Sequence, residues 1–378
     1  MLNKISILLL LIILSSSMNS YSFVVKDILN RQVKIDNIPN NVAISSSRIF
    51  SALEILYGNN VQNKLVAWRN DMIKGAPSMY MFYKNKYPKI INIPLIGSIK
   101  SGFNIENFIT LKPKPDVFIV DLYAILGSDY NKLFKYLEKV GIPCIVIDFR
   151  VNPIKNTIQS MVILGDALKK KNKAKLFSKI YTQHLNYVVN KINNNNIQRQ
   201  KVFIERGAGY SNAVALRSFG NENMGSFINL LHGRNIANYL TKNVISQGEI
   251  TQETVMISNP DIYIFQSADK QNESGIPLGF LPYTCLEEIK KASNNLLNKK
   301  WLQLLTAYEN KKVYTIYMPL FNSPYNIVAI EYFAKWMYPD LFEKLSPHKT
   351  INEIYTSLLN TKAPNVLWGI NNFTYKEK

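Results

Sequence analysis

Two hydrophobic patterns take turns along the chain. VAISSS (42–47) reads as a strand running into a small-residue loop, and RIFSALEILYG after it as a helix closed by Gly58. KLVAW (64–68) is a short strand, and DVFIVD (116–121) and PCIVIDF (143–149) are the apolar, β-branched runs of buried parallel strands. Between these two, YNKLFKYLEKVG has helical spacing and a terminal Gly. Strands that alternate with helices predict an α/β arrangement with a mainly parallel sheet. After Arg150 the pattern changes. NPIKNTIQSMVILGDALKK opens a helix with Asn152 as N-cap and Pro153 at its first position. NKAKLFSKIYTQHLNYVVNKI follows, with Leu176, Ile180, Leu185, Val188, Val189 and Ile192 at helical spacing. That helix, about 22 residues or roughly 33 Å long, could pass from one domain to another before NNNNIQRQ ends it.

The second half repeats the theme. KVFIER (201–206), DIYIFQS (261–267) and VYTIYM (313–318) are strands; MGSFINLLHG, ITQETVMI and YNIVAIEYFAKWMYP are helices, the last stopped by Pro339. The stretch IENFITLKPKPDVFIV (105–120) is echoed by QETVMISNPDIYIF (252–265): a Glu, an apolar helical run, Pro-Asp, then a strand. The chain reads as two Rossmann-like α/β lobes, 23–171 and 196–378, joined by one long helix over 172–195. A cleft between the lobes is the expected ligand site.

Ahead of the first lobe, MLNKISILLLLIILSSSMNSYSF has one Lys, an apolar run over 5–14 and a small-x-small site at Ser20-Tyr21-Ser22. The run is too short to cross a bilayer, which takes about 20 residues. It reads as a signal peptide over 1–22, the alternative being an N-terminal anchor. No Cys lies near the cleavage region, so no lipid anchor is expected and the mature chain should be exported and soluble. About 355 residues then suit two domains. The formal charge of +19 falls to about +18 without Lys4, but the lysines are scattered. No zinc finger, RNP motif or basic recognition helix accompanies them, so nucleic acid is not an expected partner. Cys144 and Cys285 make no disulfide framework; Cys144 reads as a buried strand residue.

Several stretches, in order, resemble the substrate-binding proteins of bacterial ABC importers for iron–siderophore complexes, haem and cobalamin. VKDILNRQVKIDNIPNNVAISSS is similar to that family's opening strand pair, with Asn30 where a Gly is usual. The two Glu…Pro-Asp segments match its paired segments, and GSFINLLHGRNIAN resembles its "G-x-hydrophobic…GG-x-N-I" stretch with His232 in place of the first Gly of the pair. FNSPYNIVAIEYFAKWMYPDLF is similar to the C-terminal part of one subgroup. The resemblance implies two lobes bridged by a helix, with little motion between them. It also implies that Glu106 and Glu253, one per lobe, dock onto arginines of a membrane permease. A helix N-terminus favours an acid there in any case.

In such a fold, loops at the strand C-termini meet the ligand. Ferric siderophores, haem propionates and oxyanions are negative, and arginine binds an anion through a planar, permanently charged fork. Arg69, Arg150, Arg206 and Arg217 sit at or just past predicted strand ends, Arg206 beside a GAGY loop; Arg48 is similarly placed but starts a helix. Trp68, Tyr80, Tyr123, Tyr210, Tyr317, Phe321 and Tyr325 are candidates for the cleft's apolar walls, with Tyr317 a possible phenolate ligand to iron. His184, His232 and His348 are scattered, so no metal site of the protein's own and no intrinsic cofactor are expected; iron would arrive inside the ligand. Neither G-x-S-x-G, a Walker loop, G-x-G-x-x-G nor H-E-x-x-H occurs, which disfavours an enzyme.

The resemblance thus implies a monomeric periplasmic receptor. It would capture an anionic iron chelate such as a ferric siderophore and deliver it to an inner-membrane ABC permease. Haem, cobalamin or an oxyanion such as molybdate are alternative ligands on the same fold. Two rivals come from other classes: an exported metallocluster oxidoreductase subunit, which would want several Cys ligands, and an adhesion or structural protein using the basic surface. Arginines gathered in one cleft favour the receptor; arginines spread over the outside favour the structural protein.

Overall fold

The computed structural model describes residues 22–207, 215–240, 247–267 and 275–377. The leader expected over 1–22 falls, but for its last residue, outside them. The apolar runs become two five-stranded sheets. In the first, β1 (Val42–Ile44), β2 (Leu65–Arg69), β3 (Leu95–Ile96), β4 (Val117–Asp121) and β5 (Cys144–Ile147) lie in the order β3-β2-β1-β4-β5, all parallel. Successive strand side chains point to opposite faces. Val42, Ile44, Val117, Ile119, Ile145 and Ile147 therefore enter one core, while Ala43, Phe118, Val120, Cys144 and Val146 enter another, shared with Phe134 and Leu137 of helix Tyr130–Lys139. Both faces are covered, which is why these strands read as unbroken apolar runs.

The second sheet holds β6 (Lys201–Arg206), β7 (Arg234–Asn235), β8 (Ile262–Ser267), β9 (Val313–Tyr317) and β10 (Gly369–Asn371) in the order β7-β6-β8-β9-β10. Only the β9–β10 pair is antiparallel. The sequence echo has a physical cause here. Asp116, before β4, accepts the backbone N–H groups of Asn40 and Asn41 (both 2.8 Å), just ahead of β1. Asp261, before β8, accepts the N–H of Lys201 (2.7 Å), the first residue of β6. In each lobe the aspartate of Pro-Asp pins the start of a central strand to its neighbour, satisfying donors the ladder leaves over.

Helix Lys171–Asn193 runs between the two sheets, 23 residues and about 35 Å long. Tyr181 on it donates to Asn326 Oδ1 (2.7 Å), whose amide nitrogen donates to Thr157 of the first lobe (2.6 Å). His184, also on it, places Nδ1 2.8 Å from Glu331 and Nε2 2.9 Å from Glu353. One apolar core continues through both lobes. The segment YMFYKNKYPK folds largely within helix Pro77–Lys86, which crosses to the second lobe: Phe82 stacks on Phe280 (4.8 Å) and Ser78 Oγ accepts the Phe280 N–H (3.1 Å). Beneath it the buried Glu54 carboxylate receives Lys86 Nζ and Tyr87 OH, both at 2.8 Å. Cys144 is buried, Cys285 is exposed, and the two are not bonded to each other.

Candidate ligand-binding site

In each sheet the strand order reverses beside the first strand, between β1 and β4 and between β6 and β8. Open α/β sheets form a crevice at the C-terminal ends of the strands on either side of such a reversal. Three arginines lie there.

Arg48 comes from the loop after β1. That loop is held by serines: Ser45 Oγ accepts the Asp121 N–H (2.9 Å), while Ser46 and Ser47 bind the Asp71 carboxylate (2.6 and 2.9 Å). The result is a single 3-10 turn, Ser47–Ile49, in which Arg48 is buried, 4.0 Å from Asp71 and 3.4 Å from Asn322 Oδ1 of the second lobe. Arg150 comes from the loop after β5. There the fully buried Asp148 accepts the backbone N–H groups of Arg150, Val151 and Asn152 (2.7–2.9 Å) and the Asn156 side chain (2.7 Å). A carboxylate ringed by donors in this way makes a rigid turn, and Arg150 projects from it. Its guanidinium lies 3.4 Å from the centroid of Tyr123 and 5.6 Å from that of Phe321, and its carbonyl receives Asn223 Nδ2 (2.8 Å). Arg206, the last residue of β6, lies over Phe219 at 5.7 Å; Phe219 in turn packs against Phe321 (6.0 Å). Cations over aromatic faces are held without neutralising their charge.

The electrostatics leave this cluster short of negative charge. Burial pulls the Arg150 pKa below its ordinary value; Asp121 and Tyr123 oppose that, and the like charges of Arg48 and Arg206 add to it. Burial does the same to Arg206, with Tyr123 opposing and Arg217 reinforcing. Asp121, the acid that acts on Arg150, is itself pushed up to about 6, chiefly by burial and despite Arg150. Arg150 Nε is buried and has no hydrogen-bond partner among the described residues. A buried charged donor left open is costly, and an anion in the crevice would complete it.

Of the residues singled out in the sequence, Arg150, Arg206, Tyr123 and Phe321 come together here. Arg48 belongs with them, its signal being the strand-to-small-loop step VAISSS. Asn322, Asn223 and Phe219 were not visible beforehand, since they arrive from distant parts of the chain. Arg217 stands at the edge: it lies on the two-stranded antiparallel sheet formed by Ala215–Phe219 and Gln247–Thr251, is exposed, and faces Glu249 at 3.8 Å. Alternation explains this, because Leu216 and Ser218 take the buried side. Arg69 ends β2 half-buried and has no part in the contacts joining the other three. Three expectations are corrected. Trp68, Tyr317 and Tyr325 are almost wholly buried, Trp68 against Phe50 and Tyr80, and Tyr317 and Tyr325 against Trp368. Their rings serve packing between covered strands and helices rather than a cleft wall. Tyr210 lies outside the described residues. Glu106 and Glu253 are both exposed, each in the first turn of a short helix (Ile105–Ile109 and Gln252–Ser258) capped by Asn104 and Thr251. Among the described residues no group of three or more His, Cys, Asp or Glu is placed to hold a metal ion.

No family model matches the sequence, and no curated protein matches it significantly. Solved structures do match in fold. The TroA-like periplasmic binding protein FepB from Veillonella parvula superposes with a TM-score of 0.79 at 22% identity, over 92% of this chain and 99% of that one. The molybdate-bound periplasmic binding protein MolA of Haemophilus influenzae gives 0.64 at 17% identity, over 91% and 100%. Helicobacter pylori CeuE in complex with nickel and histidine gives 0.63 at 14%, over 90% and 96%. The chain therefore has the two-lobe, helix-bridged fold of the TroA-like periplasmic binding proteins.

Proposed function

We propose that this protein is the periplasmic binding component of an ABC importer and that its cargo is an anionic metal chelate of the ferric siderophore class. The observation that carries the reading is the convergence of Arg48, Arg150 and Arg206 from both lobes, with the buried Arg150 Nε lacking an acceptor among the described residues. The work is binding alone: guanidinium forks neutralise the chelate, half-buried Tyr123 borders the site with Arg150 over its ring, and the buried Phe219 and Phe321 support the arginines from behind. Iron enters and leaves inside the ligand. Energy for transport comes from the importer.

The number and spread of the arginines favour this cargo over a bare oxyanion. A molybdate-sized anion is satisfied by a few close donors, whereas three arginines converging from both lobes suit a larger chelate that carries several negative groups. Glu106 and Glu253, exposed on corresponding helices of the two lobes, are the proposed contacts with arginines of the permease. Among the described residues no helix is long and apolar enough to cross a membrane.

Tryptophan-fluorescence titration of residues 23–378 tests the reading. Ferric tris-catecholate, ferric hydroxamate, haem, cobalamin and molybdate are added at micromolar concentration. Saturable quenching by the ferric catecholate is the expected outcome. Saturation by molybdate or cobalamin alone would move the assignment to that ligand, and no response to any of the five would remove it.

A further inference from the structure

One cation near the crevice is unused by the reading above. Lys100 stands in the turn that follows β3, and its Nζ lies 4.2 Å from the centroid of the same Tyr123 ring that Arg150 covers at 3.4 Å. The turn is built to hold it there. Gly97 and Gly102 pack backbone to backbone, so closely that a Cβ on Gly97 would fall 1.7 Å from the Gly102 carbonyl oxygen. Ser101 N–H donates to Ser98 O (2.9 Å), and Gly102 has a φ of +79°, a conformation that favours glycine. The segment GSIKSG is thus a closed loop with Lys100 near its tip, and the side chain is exposed.

Two cations on one ring oppose each other, and Arg48 and Arg206 already crowd Arg150 with positive charge. Every one of these groups gains from the same event, the arrival of negative charge beside Tyr123. Lysine differs from the three arginines in being exposed and compact, on a flexible stem that can leave the ring and reach a ligand. We infer that Lys100 is a fourth cation of the anion site, a specificity-determining residue that meets the outer side of the bound chelate and makes the site prefer ligands of high negative charge. This rests on the reading of the arginine cluster as the ligand site and adds to it a residue of different element, exposure and chemistry. An exposed lysine also raises the local potential that steers an anion toward the crevice, an effect that fades with salt.

The test compares wild type, Lys100→Gln, Lys100→Arg and Arg206→Gln, each as residues 23–378, with trianionic ferric tris-catecholate and an uncharged ferric hydroxamate as probes. Affinity is measured by fluorescence at low and at physiological salt, and thermal unfolding confirms the fold, which an exposed side chain should not disturb. Lys100→Gln is expected to weaken tris-catecholate binding about five- to tenfold at low salt, and less at physiological salt. Lys100→Arg should restore most of the loss, and hydroxamate binding should not change. If Arg206→Gln weakens binding while Lys100→Gln matches wild type at both salt concentrations, the inference fails and the arginine site stands. If the catecholate does not bind wild type, or Arg206→Gln leaves its binding unchanged, the arginine site itself fails and the role of Lys100 goes with it.

Discussion

Asp148 and His184 show how single side chains decide the geometry. Asp148 spends its carboxylate on three backbone N–H groups and one amide, and so fixes the direction in which Arg150 leaves the sheet. In the sequence it was only an acid at a strand end. His184 was a lone histidine on the bridging helix, and in the fold both its ring nitrogens face carboxylates while Thr350 Oγ1 lies 3.2 Å from Nδ1. Burial works against its charge, but the hydrogen bonds and charges of Glu331 and Glu353 outweigh burial and raise its pKa above the ordinary 6.5. A folded-state pKa above the unfolded value contributes stability that is complete below about pH 6.5 and disappears as pH rises through the raised value. Thermal unfolding from pH 6 to pH 9 should therefore show a decline that His184→Gln flattens. The variant should also lose roughly 3 kcal/mol at pH 6, since the fully buried Glu331 is left without its partner. An identical pH slope in both proteins would show that the pair adds nothing.

At the scale of elements, much was legible because a buried parallel strand has one simple signature. DVFIVD, PCIVIDF, KVFIER and DIYIFQS all form strands at or within a residue or two of those limits. What was not legible depends on partners far along the chain. VALRSF gave no sign of pairing with Gln247–Thr251, and that pairing turns Arg217 outward and splits ITQETVMI into a strand end and a helix. Tyr317 sat at a predicted strand end and Tyr325 at the start of a predicted helix, where a cleft was expected, yet they fall under Trp368, some 40 to 50 residues on, and are buried. The duplicated Glu…Pro-Asp unit was legible as a repeat, and its aspartates prove structural in both copies. The glutamates are free of that duty, since both stand exposed in their first turns. If they are the permease contacts, charge reversal by Glu106→Lys or Glu253→Lys should cut uptake through the cognate importer at least tenfold, while ligand affinity of the purified receptor stays within about twofold. Undiminished uptake in the double variant would remove them from the interface.

As a whole, the molecule is two sheets tied together at several separate places rather than hung on one linker. The bridging helix packs on both lobes, helix Pro77–Lys86 crosses at one side, and Arg48–Asn322 and Asn223–Arg150 join the lobes within the crevice itself. A continuous apolar core runs beneath. Such an arrangement holds the arginines of both lobes at nearly fixed separation, so little of the binding energy goes into ordering them. On the proposed function, one ligand is touched from both lobes by charges already in place. Calorimetric titration of ferric tris-catecholate into wild type, Arg150→Gln and Arg206→Gln, with circular dichroism to confirm that each variant is folded, tests it most directly. Affinity falling at least tenfold, about 1.4 kcal/mol, in both variants is the predicted result. Wild-type affinity in either folded variant would contradict a site shared between the lobes.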